Sequence, residues 1–188
     1  RRVGVGRAPR SRPRGPVTFV FDATPLIYLA KADRLGVVRS LDRRRLVPNP
    51  VSREVVTDGI EAGCDDARRI ERAIDDGVLE TVAVDVEESP TAARLARHPG
   101  VSDADVSVLA CAEARDAVAV MDEAAGRSAA DVEGVETRGT AYLVLSAVQN
   151  GRLSPEAGRE TIDAMVECGW YVAPDLYARI VRKLELFE

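Results

Sequence analysis

Short apolar runs alternate with longer stretches of helical period along this chain. Val17-Thr18-Phe19-Val20-Phe21 is rich in β-branched and aromatic residues and short enough to be a buried strand. Asp22-Ala23-Thr24-Pro25 then turns into a helix, with Thr24 the expected N-cap and Pro25 the first helical residue. Leu26, Ile27, Leu29 and Ala30 form its apolar side. A second helix is expected around Leu35–Leu41 and a short strand at Arg45-Leu46-Val47-Pro48. Asn49 is the expected cap of the next helix, opened by Pro50 and running through Glu54 to about Thr57. Residues 65–76 are amphipathic with Ile70 and Ile74 inward, Leu79 to Val84 reads as a strand, and a Glu/Ser/Pro segment then breaks the pattern. Ser102 opens a helix to about Ala114, and Ala117–Met121 is another short buried strand. Further helices are expected near 124–131, 139–149, 154–167 and 174–185.

Strands alternating with helices, without hairpin signals between them, imply a parallel sheet wrapped by helices. Residues 17–188 therefore read as one α/β domain. Residues 1–16 are rich in Arg, Gly and Pro, lack a hydrophobic period and read as a disordered basic arm.

Composition narrows the chemistry. The chain has 188 residues, and no apolar run approaches a membrane span. Cys64, Cys111 and Cys168 are odd in number and widely spaced, which indicates neither a disulfide framework nor a zinc site and suits a reducing, cytoplasmic setting. His98 is the only histidine, so triad and zinc–histidine chemistries lack their bases and ligands. The net charge is −5, yet residues 1–16 hold six arginines and no acid, leaving −11 on the remainder. Such acidity argues against a general nucleic-acid coat protein but not against an enzyme whose metals meet phosphate. The body is also lysine-poor, with only Lys31 and Lys183, as suits a high-salt cytoplasm or a GC-rich genome.

Carboxylates remain as the candidates. In an open parallel sheet, function gathers at the carboxyl ends of the strands. Asp22 follows the first strand, and Asp122 and Glu123 follow the strand ending at Met121. Glu54 lies early in a helix after a strand, and Asp103 and Asp105 lie in the first turn of the helix opening at Ser102. Each acid has a structural explanation too. Asp22 suits a turn, Asp105 resembles the partner of a capping box, and Glu54, Asp122 or Glu123 suits a helix start. Taken together, four or five like charges on one rim repel one another and raise one another's pKa values. A hard divalent cation with oxygen ligands, Mg²⁺ or Mn²⁺, removes that conflict. It would also supply what phosphodiester hydrolysis needs.

The chain resembles the PIN-domain family from Val17 to roughly Leu186. Four motifs carry the resemblance: Phe19-Val20-Phe21-Asp22-Ala23-Thr24, Val47-Pro48-Asn49-Pro50-Val51-Ser52-Arg53-Glu54, Ser102-Asp103-Ala104-Asp105 and Val120-Met121-Asp122-Glu123. The later segments Arg138-Gly139-Thr140-Ala141-Tyr142 and Gly169-Trp170-Tyr171-Val172 are similar to a prokaryotic branch of toxin-like nucleases related to the VapC toxins. The resemblance implies a Rossmann-like, three-layer α/β/α fold with a short central parallel sheet, and Mg²⁺- or Mn²⁺-dependent cleavage of RNA. It implies Asp22, Glu54, Asp105 and Asp122 as the metal-binding, catalytic quartet, with Thr24 as a supporting hydroxyl. In-line attack by water would leave 5′-phosphate and 3′-hydroxyl ends. The partners implied are an RNA substrate, a small antitoxin protein and a second copy of the chain. Two departures bear on the ligands. Ser102-Asp103 stands where Gly-Glu is usual, which leaves Asp103 and Asp105 both open, and Asp122-Glu123 stands where Asp-Asp is common.

Arg127, one turn beyond Asp122, is a candidate for the substrate backbone or for pairing with acids. Arg43-Arg44-Arg45 reads as a solvated loop or a phosphate contact, and Trp170 as packing or a base-stacking surface. Tyr28, Leu29, Leu35 and Val38 suit core packing or a dimer face. Residues 1–16 are either unconnected with the fold or an RNA-contacting arm. Two alternatives to the toxin stand beside it: an RNA-processing PIN nuclease, and a non-catalytic PIN-fold module that binds RNA or protein.

Overall fold

The computed structural model describes residues 18–187, so the expectation for residues 1–16 lies outside the described residues. Among the described residues five strands form one sheet: β1 (Phe19–Phe21), β2 (Arg45–Pro48), β3 (Glu80–Val82), β4 (Val118–Val120) and β5 (Thr137–Arg138). Their order is β3-β2-β1-β4-β5, and every neighbouring pair is parallel. Register is set at the centre, where Phe19, Val20 and Phe21 face Val118, Ala119 and Val120. All six residues are buried, which is why these strands are runs of apolar residues without alternation.

The chain moves outward from β1 through β2 to β3, then returns to place β4 on the other side of β1. Strand order therefore reverses between β1 and β4, and such a reversal opens a crevice beyond the carboxyl ends of the two strands.

The helices are α1 (Ala23–Lys31), α2 (Gly36–Ser40), α3 (Asn49–Ser52), α4 (Gly59–Glu61), α5 (Asp65–Asp75), α6 (Pro90–Leu95), α7 (Asp103–Ala114), α8 (Ala124–Glu133), α9 (Thr140–Gln149), α10 (Pro155–Glu167) and α11 (Pro174–Glu185). A π-helical segment, Arg53–Asp58, joins α3 to α4. Helix α7 lies against β1, β2 and β4 and is buried continuously from Asp105 to Ala112, so it carries no polar face over that length. Cys111 within it is core, and all three cysteines are free thiols. Helix α9 packs against α2, α10 and α11. Gly158 permits the approach of α10, since a Cβ there would stand 2.6 Å from Val148 Cγ2.

Several local expectations are corrected. Asp22, not Thr24, occupies the N-cap of α1, because the strand enters the helix directly. Pro48, not Asn49, precedes the first residue of α3, and the helical path then runs on to Glu61. The segment expected only to break the pattern contains α6, capped by Ser89 Oγ, which accepts from Ala92 N at 3.1 Å. Two residues, Thr137 and Arg138, add the edge strand β5. Leu29 and Val38 are fully buried, and Tyr28 and Leu35 pack partly buried against the same core. Among the described residues no helix is long and apolar enough to cross a membrane.

Candidate active site

Asp22 leaves β1 and its backbone N–H stays in the sheet, donating to Val120 O at 3.0 Å. Asp22 is thereby placed at the β1/β4 reversal, and the residue is only 5 % exposed. Burial is the main cause that pushes its pKa from 3.8 up to about 7. The negative charges of Asp105, Glu123 and Glu54 push in the same direction, and the N–H of Ala23 opposes them. Desolvation, then Asp105, Asp58 and Glu123, likewise raise Glu54, although that side chain is exposed.

These mutual effects identify the acids that share one field: Asp22, Glu54, Asp105 and Glu123. They come from four elements. Glu54 sits in the π-helical segment, whose close approach to α5 needs Gly59, where a Cβ would lie 2.8 Å from Ala67 Cβ. Asp105 is buried in the first turn of α7. Its Oδ2 accepts from Ser102 N and from Ser102 Oγ, both at 2.8 Å, and its own N–H donates to Ser102 Oγ at 3.1 Å. Its Oδ1 faces Gly126 of α8, where a Cβ would lie 3.3 Å away. Asp103, the other candidate in that turn, is exposed and is not among the charges acting on Asp22 or Glu54.

The two acids after β4 are held in different ways. Both oxygens of Asp122 accept hydrogen bonds from Thr140 or Trp170. Its Oδ1 accepts from Thr140 N at 2.8 Å, and its Oδ2 accepts from Thr140 Oγ1 at 2.7 Å and Trp170 Nε1 at 3.0 Å. Glu123 is the member of the pair that acts on Asp22 and Glu54. It is exposed, and Thr24 Oγ1 approaches its Oε1 at 3.5 Å, the outer limit of a hydrogen bond. Thr24 is thus beside Glu123.

Trp170 was expected to pack, and it does, at 6 % exposure, but its indole N–H also clamps Asp122. The sequence signal for that clamp is slight, since Thr140 and Trp170 lie 18 and 48 residues from Asp122. Arg127 is exposed and makes no ion pair among the described residues. Gly139 brings it near Asp122: a Cβ there would lie 2.9 Å from Asp122 Oδ1 and 3.2 Å from Arg127 Nη1.

Among the described residues no three acid, histidine or cysteine side chains are gathered as a ready metal-ligand group. The donor chemistry nevertheless fits a hard divalent cation. Two buried carboxylates are held by backbone and capping contacts, and two exposed glutamates are free to change rotamer, all four supplying oxygen. No curated protein matches the chain. A sequence-family model described as a PIN domain does match, over residues 18–186. The chain belongs to the PIN-domain family, whose fold is in general a nuclease fold.

Proposed function

We propose that this protein is a divalent-metal-dependent endoribonuclease that hydrolyses RNA phosphodiester bonds and serves as the toxin of a toxin–antitoxin pair. The observation that carries the nuclease reading is the buried Asp22 at the strand reversal, pushed up to about 7 first by desolvation and then by the neighbouring acids Asp105, Glu123 and Glu54. An uncompensated set of this kind is costly to the fold and is explained if a cation balances it. The toxin role is supported by the likeness of the later motifs, around Gly139-Thr140 and Gly169-Trp170, to the toxin-like branch.

In this reading Asp22 and Asp105 are the fixed ligands of Mg²⁺ or Mn²⁺, and Glu54 and Glu123 close on it by changing rotamer. The bound ion would supply water activation and charge neutralisation at the phosphoryl group. Thr24 restrains Glu123. Asp122 acts from one position further back, anchoring the end of β4 to α9 and to the loop before α11 so that Glu123 is presented to the rim. Arg127 reaches the substrate phosphate from the first turn of α8.

The test incubates the protein with structured RNAs and Mn²⁺ or Mg²⁺, beside EDTA controls and the variants Asp22→Asn, Glu123→Gln and Asp122→Asn. Cleavage abolished by EDTA and by Asp22→Asn supports the nuclease, and cleavage unchanged in Asp22→Asn refutes it. A Glu123→Gln variant as active as the parent would remove Glu123 from the ligand set and return that role to Asp122. Growth arrest on expression, absent with Asp22→Asn, tests the toxin role.

A further inference from the structure

The opposite end of the sheet carries the opposite charge. Two adjoining cavities, of about 390 and 580 Å³, open beside the amino ends of the strands and share Ser40, Leu41, Asp42, Arg43 and Arg152 in their walls. Phe19 and Val118, the first residues of β1 and β4, line the first cavity, so it lies across the sheet from Asp22 and Glu123. Six arginines line the two: Arg39, Arg43, Arg44, Arg45, Arg138 and Arg152. They face three carboxylates, Asp42, Glu80 and Glu136, in a chain whose net charge is −5.

The arginines are not all engaged. Arg44 pairs with Glu80 at 2.8 Å, Arg138 with Glu136 at 2.7 Å and Arg39 with Asp76 at 3.1 Å. These pairs are solvent-exposed, and exposed pairs hold their partners weakly. Arg45 Nη1 donates to Leu41 O at 2.9 Å, while its buried Nε has no partner. Among the described residues Arg43 donates only to the carbonyl of Asp42, and Arg152 has neither an ion pair nor a side-chain hydrogen bond. Beside them Tyr142 is 41 % exposed with the Arg138 guanidinium 5.0 Å from its ring centroid. Planar cationic forks with an aromatic face are the means by which proteins hold phosphates and stack a base.

We propose that these cavities form a second RNA-binding site, at which Arg43 and Arg152 hold backbone phosphates and Tyr142 stacks a base. The choice of RNA over another polyanion rests on the nuclease reading. The cavities hold the strand, and the acids at the far rim cut it. Phe19 and Asp22 are three residues apart along the chain, on the order of 10 Å, but the strands between are buried, so an RNA that joins the two ends runs around the outside of the domain.

The test measures binding without cleavage. Full-length Asp22→Asn protein in EDTA is titrated into a fluorescein-labelled single-stranded RNA between 50 and 200 mM KCl, with and without Arg43→Ala plus Arg152→Ala. Loss of two phosphate contacts should weaken binding by about tenfold or more and lower the salt slope by roughly 1.4. The pair Arg68→Ala plus Arg182→Ala, which removes the same charge elsewhere, should leave both within twofold. Unchanged affinity in the cavity variant, or an equal loss in the control, overturns the proposal. So does competition by inorganic phosphate or 5′-AMP at concentrations where the RNA itself half-saturates, which would make this a small-anion site. RNA binding that depends on Arg43 and Arg152 in a protein whose parent never cleaves RNA would sink the nuclease and leave this site standing.

Discussion

Asp22 offers the sharpest quantitative test, because burial and three acidic neighbours act on it together. Its pKa stands at about 7 in the fold against 3.8 ordinarily. A carboxyl raised on folding contributes stability that is fully present below the lower value. That stability is lost as pH rises through the higher one. The rise corresponds to on the order of 4 kcal/mol at pH 8, an upper figure since side chains and water relax around a buried charge. Asp22→Asn keeps the shape and cannot ionise. In EDTA, urea unfolding of the variant should therefore match the parent within about 0.5 kcal/mol at pH 4 and exceed it by about 2 to 4 kcal/mol at pH 8. Taking the difference at each pH removes groups that titrate in both proteins, such as Glu133, which Arg94 holds below its ordinary value. Added Mn²⁺ should close most of that gap at pH 8, stabilising the parent by about 2.7 kcal/mol at a hundredfold excess over Kd and leaving the variant unmoved. A difference that stays flat with pH, or a parent that gains on the variant as pH rises, would refute the reasoning.

Thr140 is fully buried and holds Asp122 with two donors, so Thr140→Val should cost about 1.5 to 3 kcal/mol in urea unfolding, and Thr140→Ser should recover most of it. Trp170→Phe should lower RNA cleavage by more than its loss of stability explains, and equal activity with a shifted midpoint would confine Trp170 to packing. At Gly158 a methyl group would meet Val148 at 2.6 Å and Leu184 at 3.1 Å, so Gly158→Ala should lower stability by about 1 to 3 kcal/mol by thermal melting. Cys64 and Cys168 should react with a thiol reagent in the native protein, and Cys111 only after urea is added, its thiol being buried and pushed up in pKa.

The parallel sheet is legible in the sequence because its central strands are buried on both faces and so read as unbroken apolar runs. The same logic hides β5, whose two residues are Thr137 and Arg138 at the sheet edge. Helix α6 is hidden for another reason: Pro90 reads as a breaker when weighed alone, but after Ser89 it is the first residue of a capped helix. The placement of Asp22 and Asp105 is legible since the end of a strand and the start of a helix determine where they point. The choice between Asp122 and Glu123 is not. Adjacent residues leaving a strand point opposite ways, and which one meets the rim depends on donors far along the chain, at Thr140 and Trp170.

That contrast bears on how a structural explanation of an acid should be weighed against a functional one. Asp105 completes a capping box, which by itself accounts for an aspartate at the third position of α7. Yet the bonds that account for it all fall on Oδ2, leaving Oδ1 turned toward Gly126. The cap holds the carboxylate in one rotamer and leaves its other oxygen outside the capping bonds, which is the oxygen the proposed function would offer to a cation. Asp122 is the converse, because three donors occupy both of its oxygens. The cap leaves Oδ1 of Asp105 outside its bonds, whereas the clamp leaves Asp122 a single unused acceptor site on Oδ1, so the two acids differ in acceptor capacity and not in whether structure explains them.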